Sequence, residues 1–190
     1  MSARTGRVHS FGPVFDEGCR VLVLGTVPSP KSREVTLNYG NPRNRFWPVV
    51  ANLLGEELPE TPDDKRAMAL RHHIALWDVI ESCVITGASD ASIVDPRPND
   101  IAALLERAPI SRIFTTGTTA TRLYRRLVEP SLGVPCTGLP STSPANASWS
   151  FDRLVEAYRP LVEALDVVQI KGYATGLPRE EGHDVRGYGL

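Results

Sequence analysis

The sequence predicts a single-domain α/β protein, in which a short central parallel sheet of about four strands is covered by helices on both faces. Short apolar runs rich in β-forming residues recur at wide spacing, and amphipathic helical patterns lie between them. The length of 190 residues matches the usual size of one domain. Strands that alternate with helices are typical of a parallel sheet buried on both faces.

The first predicted strand is RVLVLG, residues 20–25, an apolar run that ends in glycine. Three later segments share its short apolar character: residues 74–77, 113–116 and 134–139. Because parallel strands end at one edge of their sheet, the loops after them should meet there, and ligands bind at such an edge. These loops are residues 26–44, 78–82, 117–119 and 140–148.

Four segments repeat apolar residues at the spacing of an amphipathic helix: residues 46–54, 101–108, 120–127 and 151–165. Pro160 is expected to kink the last of them. A further helix should begin at Thr61, which precedes Pro62 and two acidic residues. We therefore expect a domain over residues 1–170 and a surface extension over residues 171–190, which hold five glycines.

The composition is that of an ordinary globular protein, with 42% hydrophobic and 23% charged residues. No apolar run has the length of a membrane span and the N-terminus has no apolar signal region, so we expect a monomer in the cytoplasm with no membrane partner. The three cysteines are far apart, and no cluster has the spacing of metal ligands. We therefore expect no disulfide, no metal and no cofactor.

The net charge of −1 hides two basic stretches. One holds Lys31, Arg33, Arg43 and Arg45, with Glu34 as its acid, and the other holds Arg112, Arg122, Arg125 and Arg126 with no acid. Local patches of this kind can contact phosphates even when the whole chain is nearly neutral. A general preference for arginine would explain the same composition.

The loop after the first strand has none of the common nucleotide or hydrolase motifs. It begins GTVPSPKS at Gly25 and continues as NYGNPRNRFWP from residue 38, which is neither a dinucleotide fingerprint nor an NTPase phosphate loop. The chain also has no G-x-S-x-G nucleophile motif. These absences argue against cofactor-binding, NTPase and serine-hydrolase functions.

Four segments of the chain resemble the uracil-DNA glycosylase superfamily, in the family's order. GTVPS at residues 25–29 with NPRNRFW at residues 41–47 resembles its first active-site region, and LPSTSPAN at residues 139–146 resembles its second. With LWDVIESC at residues 76–83, these forms are most similar to the hypoxanthine-DNA glycosylase branch. The resemblance covers about residues 9–165 and implies a uracil-DNA glycosylase-like fold.

Two positions depart from the better-known branches of that superfamily. Val27 stands where those branches place a catalytic Asp or Asn, and Leu139 stands where the uracil branch has a His. An apolar side chain can neither orient water nor stabilise a charge. The resemblance therefore points to Asn44 as the catalytic residue, although an Asn directly before a helix is also a typical N-cap.

The resemblance also implies how the substrate is held. A flipped base would be bound by Thr26, Ser29, Tyr39, Phe46 and Asp78. DNA would be contacted by Lys31, Ser32, Arg43, Arg45, Ser141, Thr142, Ser143 and Asn146. Ordinary structural roles compete for several of these residues: Phe46 fits the apolar face of its helix, and Asp78 fits a cap of the next segment.

The resemblance implies a monofunctional DNA glycosylase that excises a deaminated base from DNA, with hypoxanthine as the favoured base. A uracil or mismatch-specific uracil-DNA glycosylase is the closest alternative. A nucleic-acid-binding module without catalysis is an alternative of another class, because Val27 and Leu139 replace catalytic residues. Release of free base from a lesion-bearing oligonucleotide distinguishes these hypotheses.

Overall fold

A computed structural model describes residues 5–87 and 89–174 of the chain. Seven strands are formed: β1 (Thr5–His9), β2 (Val21–Gly25), β3 (Ile74–Asp78), β4 (Ile80–Thr86), β5 (Val94–Pro98), β6 (Arg112–Thr116) and β7 (Cys136–Leu139). Seven helices are formed: α1 (Pro30–Glu34), α2 (Phe46–Leu54), α3 (Pro62–Arg71), α4 (Ile101–Arg107), α5 (Thr118–Leu127), α6 (Glu129–Leu132) and α7 (Phe151–Ala174). A 3-10 turn, Asp90–Ser92, joins β4 to β5.

The predicted central sheet is present, with four parallel strands in the order β3-β2-β6-β7. All five residues of β2 are buried, as expected for an inner strand covered on both faces. The register pairs Gly25 with Asp78 and Thr116 with Leu139, so the four strands end along one edge.

Side chains that alternate along β2 divide the core into two layers. Val21 and Val23 pack with α2, α3 and α7 on one face, whereas Leu22 and Leu24 pack with α4 and α5 on the other. The prediction of helices on both faces is therefore confirmed.

A second sheet, which the sequence analysis did not predict, lies beside the first. It is antiparallel, in the order β1-β4-β5. Residues 78–82, expected as a loop, form the end of β3 and the beginning of β4, with Val79 between them. The two outer strands are mostly exposed, and β5 contains two prolines, so neither carries the apolar run by which a buried strand is predicted.

The predicted start of α3 is confirmed, and α7 is longer than the segment predicted for it. Thr61 caps α3 as expected, because its hydroxyl accepts from the Asp64 N–H while the Asp64 carboxylate accepts from the Thr61 N–H. Helix α7 continues through Pro160 to Ala174, past the domain boundary expected at residue 170. The remainder of the expected extension, residues 175–190, lies outside the described residues.

Candidate functional site

A pocket of about 630 Å³ opens at the carboxyl ends of the central strands, the edge where the loops were expected to meet. Residues 25–44 form one side of it, and residues 116–119 and 141–146 form another. Asp78 and the turn that contains Asp90 complete its lining. The loops after β2, β6 and β7 therefore converge with Asp78, the last residue of β3, as the parallel order of the strands predicts.

Asp78 is the most buried acidic side chain in the pocket, with 4% of its surface exposed. Its Oδ2 accepts from Asn38 Nδ2 at 3.0 Å and, at a longer 3.4 Å, from Ser10 Oγ. Burial, with a smaller contribution from the neighbouring Asp90 charge, raises the pKa of Asp78 to about 7. A Cβ at Gly25 would lie 2.6 Å from Asp78 Oδ1, so this carboxyl needs a glycine opposite it.

The alternative role for Asp78, a cap of the next segment, is wrong. The N–H of Val79 donates to Gly25 O, and the N–H of Ile80 donates to Thr26 O. Both donors are thus satisfied by the adjacent strand and its loop, which leaves the carboxyl in the pocket lining.

Asn38 is a pocket residue that the sequence analysis did not assign a role. It is buried, its Nδ2 donates to Asp78, and its backbone oxygen accepts from Trp47 Nε1. Its Oδ1 has no hydrogen-bond partner within the described residues. A buried acceptor without a partner is costly, and the hydrogen bond from Nδ2 to Asp78 is what this side chain contributes to the pocket.

Asp90 is a second acidic residue that the sequence analysis missed. It lines the pocket from the turn between β4 and β5, and its Oδ2 accepts from Thr26 Oγ1 at 2.7 Å. Burial raises its pKa, and the hydrogen bond from Thr26 opposes that shift. Thr26, predicted to bind the base, therefore uses its hydroxyl to orient a carboxylate. Nothing in the polar loop GASDAS marked this position, because the sheet that carries it was not predicted.

Asn44 lies one residue before the N-cap of α2, which is Arg45, so its alternative role as the N-cap is not what the structure has. Its Oδ1 accepts from the Phe46 N–H at 2.9 Å and so fixes the chain where it enters the helix. The same side chain lines the pocket. With Oδ1 engaged, the Nδ2 group, which has no partner among the described residues, is the part of Asn44 that can act on a ligand or water.

Tyr39, and not Phe46, is the aromatic ring that lines the pocket. Phe46 is 1% exposed, and Tyr39 stacks on it with ring centroids 3.8 Å apart. The prediction that Phe46 stacks on a flipped base is corrected, because its helix turns the ring into the core. Tyr39 is held there by a 3.0 Å hydrogen bond to Thr116, in a left-handed backbone conformation with φ 57°.

Several residues predicted to contact substrate instead hold the first loop in shape. The Ser29 hydroxyl accepts from the Ser32 N–H and caps α1. The Ser32 hydroxyl accepts from the Gly40 N–H, and only 3% of the residue is exposed, so its assignment to DNA is corrected. Lys31 is exposed and pairs with Glu34 at 2.8 Å.

Arg45 joins the loop of residues 26–44, the first loop, to the loop of residues 140–148, which we call the second loop. It is therefore not free to contact phosphate. Its guanidinium donates to the backbone oxygens of Ser143 at 3.1 Å and Asn146 at 2.9 Å, and also to that of Trp149. The assignment of Arg45 to DNA is therefore corrected. Arg43 is exposed, and its contact with DNA stays a prediction.

The second loop is held by hydrogen bonds between its own side chains and its backbone. Asn146 Nδ2 donates to Ser141 O, and the Ser141 hydroxyl accepts from the Ser143 N–H. Thr142 is 2% exposed and its backbone oxygen accepts from the Arg45 N–H, so the prediction that its side chain contacts DNA is corrected. Ser141, Ser143 and Asn146 line the pocket, and contact of these three with DNA stays a prediction.

Residues 5–87 and 89–174 hold neither a candidate membrane span nor a cluster of candidate metal ligands. No helix there is both long enough and apolar enough to cross a membrane. No group of three or more His, Cys, Asp or Glu side chains there could hold a metal ion.

The fold and the pocket define an α/β protein that binds its ligand where loops from parallel strands converge. The family model for the uracil DNA glycosylase superfamily matches residues 13–165. The chain belongs to the uracil DNA glycosylase superfamily.

Individual relatives are similar over most of the chain. Hypoxanthine DNA glycosylase of Methanosarcina acetivorans is 35% identical over 146 residues, which cover 76% of this chain and 92% of that protein. Hypoxanthine DNA glycosylase of Methanosarcina barkeri is 31% identical over 139 residues, covering 73% and 87% of the two chains. A solution NMR structure from Methanosarcina acetivorans, described as a candidate uracil DNA glycosylase, matches with a TM-score of 0.73 and 31% identity over 85% of this chain and 99% of that one.

Proposed function

We propose that this protein is a monofunctional DNA glycosylase that flips a deaminated base out of DNA and hydrolyses its N-glycosidic bond, with hypoxanthine as the preferred base. It acts as a monomer in the cytoplasm, without a metal or an organic cofactor. The observation that carries the proposal is the buried carboxyl of Asp78 in the pocket lining, a hydrogen-bond acceptor that Asn38 orients. The names of the two Methanosarcina relatives support the choice of base.

Base selection follows from what deamination does to a ring nitrogen. Conversion of adenine to hypoxanthine changes a ring nitrogen from an acceptor into an N–H donor. An ionised Asp78 can only accept, so it binds that N–H and leaves the lone pair of adenine unpaired. Because the pKa of Asp78 is about 7, discrimination against adenine should increase as the pH rises through neutrality.

The chemical step needs a held water molecule and a proton acceptor. As the C1′–N bond breaks, its electron pair leaves with the base, positive charge builds on the sugar, and the water oxygen bonds to C1′. Asn44 Nδ2 can donate to the water oxygen, but an amide does not accept the proton that the water loses. Asp90 supplies the carboxylate that accepts it and that faces the developing sugar cation, and the proton then passes through solvent to the base.

Base release is the direct test of the function. Wild-type protein is incubated in EDTA with oligonucleotides that carry hypoxanthine, uracil, xanthine or no lesion, and abasic sites are then cleaved with hot alkali. We expect hypoxanthine to be released faster than the other bases. Before treatment with alkali, the strand that carries the abasic site should be intact. Binding of lesion DNA without base release would instead establish the non-catalytic binding module, and nicking before alkali would reveal an amine nucleophile.

A further inference from the structure

A second cavity, of about 1080 Å³, lies between α5 and α7 at the end of β7. One wall carries Arg122, Arg125 and Arg126 of α5. The apolar part of the lining comes from Leu139, Pro140, Trp149 and Ala157, and the uncharged polar part comes from Thr118, Thr121, Ser141 and Asn146. We call this cavity the arginine groove.

The three arginines of the groove differ from Arg66 and Arg159, two arginines of other helices. Arg66 pairs with Asp63 and Arg159 pairs with Glu156, each with an acid one turn away. The arginines of α5 are exposed, and within the described residues none of them pairs with a carboxylate. No acidic residue is among the described groove lining either, so this surface is complementary to an anion.

The arginine groove continues directly from the pocket. Gly117, Thr118, Ser141 and Asn146 line both cavities. A DNA strand whose flipped nucleotide enters the pocket therefore passes into the groove on its way out. From Thr118 to Arg126 the helix rises ~12 Å, and each of its three arginines can meet one phosphate of a strand that runs along it.

The apolar lining indicates the form of that strand. A groove that combines a cationic wall with aromatic and apolar side chains is typical of proteins that bind unpaired nucleic acid, because bases and sugars contact the apolar surface while phosphates face the cations. Trp149 supplies the aromatic surface and carries the Arg153 guanidinium 4.5 Å from its ring centroid.

We propose that the arginine groove binds about three unpaired nucleotides of the damaged strand beside the flipped base. This inference rests on the proposed glycosylase function and extends it to a second contact region. The competing occupant is an acidic peptide that pairs with the free edge of β7, where Thr137 and Gly138 are exposed. Continuity with the pocket favours the DNA strand.

Binding of single-stranded oligonucleotides of graded length tests the proposal. Each carries one hypoxanthine and is extended by four nucleotides on its 5′ side, its 3′ side or neither, and anisotropy is measured at several salt concentrations. The proteins are wild type, the triple variant R122S/R125S/R126S, and R112S as a control, because Arg112 is exposed at the opposite end of β6. Base release by wild type is measured on the same oligonucleotides.

In wild type and R112S, extension on one side should tighten binding at least tenfold. In the triple variant the gain should fall below twofold, and the slope of log K against log salt should be smaller by about 2, which is the loss of three phosphate contacts on single strands. An equal gain in the triple variant, or an unchanged slope, would overturn the proposal. The same extensions are also measured as fully paired duplexes. An equal gain in affinity on duplex would overturn the inference that the bound nucleotides are unpaired. In either case, base release by wild type would leave the glycosylase function standing, whereas its absence would remove that function.

Discussion

The two cavities on either side of the second loop share part of their lining but differ in charge. The pocket holds two carboxyls, Asp78 and Asp90, whose pKa values are raised by burial. The arginine groove holds three exposed cations and no acid among its described lining residues. Under the two proposals above, the cavities divide the tasks: the pocket selects the base and hydrolyses its bond, and the groove supplies affinity for the backbone.

The two regions also differ in their effect on stability. The pKa of Asp78 in the folded protein, about 7, lies above the ordinary value of 3.8 for an aspartate, so the folded state binds more protons between these pH values. The contribution of Asp78 to the free energy of unfolding therefore falls as the pH rises from about 4 to 7. The exposed arginines of the groove have no comparable desolvation cost. A buried acid that lowers stability at neutral pH is expected where the chemistry requires it.

Replacement of Asp90 should have the largest effect of any pocket variant. Asp90→Asn removes the proton acceptor, and we expect the single-turnover rate on hypoxanthine DNA to fall at least a hundredfold, about 2.7 kcal/mol of barrier. The acceptor must be ionised and its pKa is raised, so the wild-type rate should fall as the pH drops through a value above 3.8. Burial raises the pKa of Asp90, and the Thr26 hydroxyl, which donates to this carboxylate, opposes the shift.

Asp95→Asn is the matched control for Asp90→Asn. Asp95 is an exposed carboxylate of the second sheet that pairs with Arg7 outside the pocket, so its loss should leave the rate unchanged. A rate for Asp90→Asn within threefold of wild type, with the acid limb of the pH profile retained, would show that Asp90 takes no part in the reaction.

Replacement of Asn44 should have a smaller effect and separates its two roles. Asn44→Ala loses both the contact to Phe46 N–H and the Nδ2 donor, whereas Asn44→Asp keeps an acceptor for that N–H, loses the donor and adds a carboxylate. We expect the alanine variant to lower the single-turnover rate at least tenfold and to lose ~1 kcal/mol of stability, which the aspartate variant keeps. A rate within threefold of wild type in Asn44→Ala would mean that Asn44 acts on the helix alone.

The sequence predicts the pocket's location better than its lining. The apolar runs predict four parallel strands, and their shared direction already places the loops at one edge. Whether a loop side chain faces the ligand or the protein depends on contacts between distant segments. Arg45 and Ser32 are engaged by the second loop and by Gly40, respectively, and no local pattern reveals this. Asp90 was missed because its turn belongs to a sheet whose outer strands are short and polar.

Base selectivity tests the division of tasks most directly. The measurement is the ratio of kcat/KM for hypoxanthine over adenine, or a lower bound on it, for wild type, Asp78→Asn and R122S/R125S/R126S at pH 8. Asp78→Asn should fold at least as stably as wild type at that pH, because it removes a buried ionised carboxyl. We expect its ratio to fall at least tenfold, since an amide can donate to adenine, while the arginine variant keeps the wild-type ratio and binds DNA more weakly. An unchanged ratio in Asp78→Asn, or a lowered ratio in the arginine variant, would contradict the account.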